Sequence, residues 1–165
     1  MKKILTAVLA ALLMMSLTVS AFAATGLGSH TAVTVTAATA EKAGSVAADT
    51  TMCAVTLDEE GKIVGISFDV IQAKGAFDAA GAVSGEASIQ PQTKNELKEA
   101  YGMKAISPIG KEYYEQMAAL EAWCIGKTVE EVITLSADDA DLKAGCTVGI
   151  ADQLIALQKA AANAK

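Results

Sequence analysis

Residues able to do chemistry are sparse in this 165-residue chain. The best placed lie together in Asp141-Leu142-Lys143-Ala144-Gly145-Cys146-Thr147, a small-residue turn followed by an apolar-periodic stretch that predicts a last helix over Val148–Ala162, with Ile150, Leu154, Leu157 and Ala161 inward. The first turn of a helix has N–H groups without helical partners and a partial positive charge, which together suit an anion. Gly145 permits close approach of a ligand or a positive φ. Thr147 then has two uses: its hydroxyl caps the helix, or it carries or contacts a phosphate. Cys146 sits where a helix dipole would favour a thiolate, and no C-x-x-C partner accompanies it.

Other chemistries are poorly supplied. His30 is the one histidine and reads as a polar strand residue. The cysteines, Cys53, Cys124 and Cys146, match no zinc spacing, so no metal site is expected. Their odd number in an exported chain implies a free thiol or a bond to another chain, and each reads first as a small buried apolar residue. No Ser/His/Asp set and no paired carboxylates stand out. All thirteen basic residues are lysine, which excludes a bidentate guanidinium clamp on phosphate or carboxylate. Among the aromatics, Tyr113 shares an apolar stripe and reads as core. Tyr114 and Trp123 point off that stripe, towards a ligand or an interface.

The elements that must position the turn follow from the rest of the chain. Met1-Lys2-Lys3, an apolar run from Ile4 and Ala21-Phe22-Ala23 form a secretory signal peptide (residues 1–23) with a cut after Ala23. The alternative is a retained anchor. Residues 24–165 then make one domain of about 140 residues, enough for a single core. The whole chain carries a net charge of -6. The leader holds two lysines and no acid, so the mature part is more acidic still, which argues against nucleic acid and anionic lipid as partners. Ser29–Val70 is β-like: Val33 and Val35 alternate with threonines, Cys53, Val55 and Leu57 oppose Met52, Ala54 and Thr56, and Asp58-Glu59-Glu60-Gly61 marks a hairpin. Val64, Ile66, Phe68 and Val70 define one buried face, and Asp78–Gly81 a second hairpin. Ala23–Gly28 reads as a loose N-terminus.

Helix starts dominate the second half. Thr93 with Glu96 and Thr128 with Glu131 are capping boxes. Ser107-Pro108 opens a helix over Pro108–Ile125, with Tyr113, Met117, Leu120 and Cys124 inward and Lys111, Glu112 and Glu115 outward. Gly102 and Gly126 are stops. Helices on one face of an antiparallel meander give an α+β fold.

Asp141–Thr147 resembles the flavin-attachment motif of the FMN-binding domain family, Asp-x-x-Ser-Gly-Ala-Thr just before a helix. Asp141, Gly145 and Thr147 match, Ala144 stands in place of Ser, and Cys146 in place of Ala. Asp58–Ile66 is similar to the family's Asp-Gly-Lys-Ile hairpin. Tyr101–Lys104 and Ile109–Tyr114 resemble small secreted FMN-binding-domain-like proteins of anaerobic Gram-positive bacteria. The resemblance implies FMN joined through its phosphate to Thr147 by a flavin transferase, with Asp141 orienting the turn and Gly145 and Cys146 beside the cofactor. It further implies an extracytoplasmic electron carrier with a separate redox partner. The alternative is a non-redox module of the cell envelope that keeps the fold without the cofactor.

Overall fold

The computed structural model describes residues 23–83, 88–89, 92–135 and 139–165. The signal segment expected over residues 1–23 lies, but for Ala23, outside them. Among the described residues no helix is long and apolar enough to cross a membrane.

Three long antiparallel strands, β1 (Ala24–Thr36), β2 (Gly44–Leu57) and β3 (Ile63–Phe77), and the two-residue β4 (Ser88–Ile89) form a sheet in the order β1-β2-β3-β4. Turn chemistry sets the connections. Asp58 Oδ1 accepts the N–H groups of Glu60 and Lys62 at 2.9 and 2.8 Å, while Gly61 takes φ 76°, a conformation costly for any residue with a Cβ. Asp78 repeats this after β3, accepting from Ala80 and Ala82 with Gly81 at φ 83°.

Alternation holds in β2, where Thr51, Cys53 and Val55 are buried and Met52 is exposed. In β3 the expected face breaks at its start. The register shifts between Thr56 and Leu57, so Leu57 pairs with Ile63 and Thr56 with Gly65. Val64 is the extra residue of the bulge, which inverts parity. Ile63 is therefore fully buried and Val64 is 52 % exposed. From Ile66 onward the expected face holds, with Phe68 and Val70 in the core.

The N-terminal stretch is not loose. Ala24–Gly28 is strand, paired residue for residue with Leu57 to Cys53 of β2, and it lies under the last helix. A Cβ on Gly26 would collide with the carbonyl of Ala160, and one on Gly28 with the backbone of Ala156 and Ala160. Ala156 and Ala160 are fully buried at that contact. Two glycines facing two alanines bring helix and strand backbones together.

The helical layer comprises α1 (Lys94–Leu97), α2 (Tyr113–Cys124), α3 (Val129–Leu135), α4 (Ala140–Gly145) and α5 (Ala151–Ala162). Both expected capping boxes form: Thr93 with Glu96 and Thr128 with Glu131. A 3₁₀ turn (Lys98–Tyr101) extends α1 as far as Gly102 at φ 76°. α2 begins at Tyr113 rather than Pro108. Gly110 at φ 63° closes a separate turn on Ser107, and Glu112 becomes the cap in a box with Glu115. Glu112, expected outside, is consequently 4 % exposed and accepts the N–H of Met103. The stripe Tyr113, Met117, Leu120 and Cys124 is buried as expected and meets Ile63, Phe68 and Leu157 in one core.

Gly28→Val should destabilise the domain by more than about 2 kcal/mol, because a branched side chain there displaces a helix backbone, not a pliable side chain. Urea unfolding measures this. A change below about 0.5 kcal/mol would mean that α5 does not sit on β1 as described.

Candidate functional site

The Asp141–Thr147 stretch is not a turn leading into the last helix. Asp139 accepts the N–H of Leu142 at 2.8 Å and caps α4, so Asp141–Gly145 is itself helical. Cys146 ends α4 in an extended conformation (φ -141°), and α5 begins only at Ala151, after Ile150, which makes no side-chain cap. Thr147 therefore belongs to a five-residue connection, 146–150, between two helices and does not cap α5.

That connection is held by one buried side chain. Gln116, on α2, is fully buried. Its Oε1 accepts from the Thr147 N–H at 2.8 Å, from the Thr147 hydroxyl at 3.2 Å and from the Val148 N–H at 3.2 Å. Its Nε2 donates to Ser107 Oγ at 3.1 Å and to the Lys111 carbonyl at 3.2 Å. The carboxamide thus satisfies backbone donors that a phosphate at this loop would otherwise meet.

The expected site residues take separate roles. Thr147 is exposed. Asp141 is exposed in the first turn of α4. Gly145 has no positive φ. A Cβ there would lie 2.8 Å from the Ala119 side chain, so its small size serves the packing of α4 on α2. Cys146 is 5 % exposed. With no helix starting at it, the dipole route to a thiolate is absent, and burial pushes its thiol up, opposed by the Val148 N–H. The cysteines are free and buried together; burial pushes Cys53 and Cys124 up to about 12.

Tyr114 and Trp123 do not reach this loop. The Tyr114 hydroxyl donates to Glu99 at 3.0 Å, and Lys127 lies over the Trp123 ring at 4.3 Å. His30 faces Asp152 of α5, Nε2 to Oδ1 at 3.5 Å. Among the described residues no three His, Cys, Asp or Glu side chains could hold a metal ion.

Two depressions flank the connection and share Val148 and Gly149. The smaller, about 240 Å³, lies beside Thr147 and is lined by Leu142, Lys143 and Ile150. The other, about 280 Å³, opens between the sheet and the helices, with Asp49, Lys94, Tyr101, Tyr113, Asp152 and Gln153 on its walls. Its polar residues were missed by pattern reading, although for Gln153 a signal was present: like Gln72 and Gln116 elsewhere, it occupies a position that the apolar period assigns to the core.

Comparison with known proteins gives one partial likeness. Over 93 residues the chain is 38 % identical to a chlorophenol reductase of Desulfitobacterium hafniense. The alignment covers 50 % of this chain and 28 % of that protein. No protein-family model and no solved structure matches.

Two outcomes follow. Gln116→Leu should cost about 2–4 kcal/mol, since it strands two backbone donors, and should speed amide exchange at Thr147 and Val148; unchanged exchange at both would contradict the clamp. Raising the pH from about 9 should also erode stability. Cys53 and Cys124 ionise near 9.0 when unfolded and near 12 when folded, so across that window the unfolded chain binds fewer protons and gains relative stability. Urea midpoints measured over this range should fall more steeply for the wild type than for Cys53→Ala/Cys124→Ala; equal slopes would remove the thiols from the account.

Proposed function

We propose that this chain is an exported electron carrier that holds FMN through a phosphoester at Thr147. The observation that carries the reading is the hydroxyl of the exposed residue Thr147, fixed by Gln116 at the rim of a depression. The hydroxyl points its hydrogen at a neutral carboxamide, which leaves its oxygen lone pairs for an incoming phosphorus. Lys143 lines the same depression and supplies positive charge on the phosphate's side. Gly149 has open space where a Cβ would stand, which leaves room for a bulky substituent on the neighbouring loop. Thr147, Gly149 and Lys143 are the residues that would hold the group. FMN, once attached, supplies the one- and two-electron chemistry; the protein supplies attachment and exposure. Asp141 and Cys146 act on the loop through α4 and the core. The partial likeness to a reductase supports a redox role, and the leader expected over residues 1–23 supports an extracytoplasmic place, where a flavin transferase and a redox partner would meet the chain.

One observation favours a second reading, a non-redox envelope module. Gln116 already occupies the Thr147 and Val148 amides, so a phosphate gains fewer backbone donors here than at a helix start.

Intact mass after co-expression with a flavin transferase tests the first reading. An FMN-sized increase should appear in the wild type, persist in Thr147→Ser and vanish in Thr147→Ala. No increase in the wild type, with a known substrate of the transferase flavinylated in parallel, leaves the module reading.

A further inference from the structure

We propose that the polar pocket between β2, α1, α2 and α5 binds a small organic primary ammonium ion, independently of any flavin at Thr147. On its sheet side the pocket is lined by Asp49 of β2, which pairs across the strands with Gln72 of β3. Asp49 Oδ2 is engaged: it accepts from Gln72 Nε2 at 2.8 Å and faces Lys94 Nζ at 3.7 Å. Its other oxygen, Oδ1, is buried without a hydrogen-bond partner. Gln153, on the opposite wall, is 4 % exposed. Its Nε2 donates to the Tyr113 hydroxyl at 3.1 Å, and its Oε1 likewise has no partner. Asp49 and Gln153, which line one pocket, thus each hold a buried acceptor oxygen without a donor, an arrangement that is costly unless something supplies N–H groups.

The protein's own cation cannot serve both. Lys94 lies over the Tyr101 and Tyr113 rings, 5.4 and 5.2 Å from their centroids, and is turned to Oδ2. Asp152, whose Oδ1 faces His30 Nε2 at 3.5 Å, adds a second carboxylate to the wall, so the lining residues set two acids against one lysine. An ammonium group carries three donors on one charge and can bridge Asp49 Oδ1 and Gln153 Oε1. A metal ion fits less well, because no cluster of three ligating side chains exists among the described residues and the remaining walls include Val70, Met103, Tyr101 and Tyr113. Those walls suit a compact apolar or aromatic body. At about 280 Å³ the pocket is roughly twice a benzene-sized cavity, so the ligand has about ten non-hydrogen atoms.

The test uses the mature chain made without a flavin transferase and three probes of one shape: 2-phenylethylamine, 2-phenylethanol and phenylacetate. Calorimetric titration should show saturable binding of the amine, at least about tenfold tighter than the alcohol, and none of the carboxylate. Asp49→Asn and Gln153→Leu should each weaken amine binding about tenfold or more. Backbone amide shifts of the unmodified chain on adding the amine should centre on Asp49, Val70, Tyr101 and Gln153, a readout that needs no variant. Absence of binding up to about 10 mM, equal binding of amine and alcohol, preference for phenylacetate, or shifts centred elsewhere would each overturn the proposal. None of these results depends on whether Thr147 accepts FMN.

Discussion

The site depends on a buried carboxamide. Gln116 is placed on α2 by the same helical period that buries Tyr113, Met117 and Leu120, and it reaches both the Ser107–Lys111 turn and the Thr147–Val148 connection. A polar group in that position is tolerated because its two ends are satisfied, the oxygen by three donors and the nitrogen by two acceptors. The result is a loop with fixed geometry at the point where α4 gives way to α5. Any chemistry at Thr147 happens on a hydroxyl whose orientation α2 sets, and any ligand in the neighbouring pocket meets Val148 and Gly149 in places held by the same contact.

The sheet and α5 form the second constraint. Gly26 and Gly28 let α5 lie directly on β1, which brings Asp152 beside His30 and Gln153 above Thr51 and Asp49. The pocket is thus a by-product of close packing at one end of the helix layer. β2 supplies its floor, α5 its far wall, and the short α1, capped by Thr93 and Glu96, delivers Lys94. The Tyr101 and Tyr113 rings, 5.7 Å apart and edge to face, close the side. Of the elements that meet there, α2 and α5 also neighbour the flavin-like motif.

Local rules carried much of the fold. Both Asp-x-x-Gly turns, both Thr/Glu capping boxes and the α2 stripe were legible because each rests on side chains within one turn of each other. Three features were not. The bulge at Val64 depends on how β3 pairs with Leu57, which is a property of two strands. The true start of α2 turned on Gly110 taking the left-handed conformation, which a Ser-Pro signal two residues earlier conceals. The helical nature of Asp141–Gly145 hinged on Asp139 as a cap, a better candidate than Thr147 that the motif drew attention away from. At the site itself, Thr147 was found in an exposed loop, while Gly145 and Cys146 proved to serve packing. The glutamines at core positions were visible in the pattern, but Gln72 meets Asp49 at 23 residues, Gln116 meets Thr147 at 31 and Gln153 meets Tyr113 at 40, and no local rule links them. The alanine-rich C-terminus, low in information as a string, is the surface that lets α5 touch the sheet.

β1 is an edge strand, and α5 guards only part of it. Lys159 and Asn163 donate to the carbonyls of Ser29 and Leu27, and Lys165 exchanges backbone hydrogen bonds with Thr25. Farther along, Thr31, Val33 and Val35 carry the same outward backbone groups with no such cover, and both valines are more than half exposed. Thr and Val in alternation are well suited to accept another strand. The helix thereby limits self-association as well as completing the core. Loosening α5 would lengthen the open edge from three outward-facing residues towards the whole of β1, so a packing defect at Gly26 or Gly28 would surface as loss of solubility before it surfaced as loss of secondary structure.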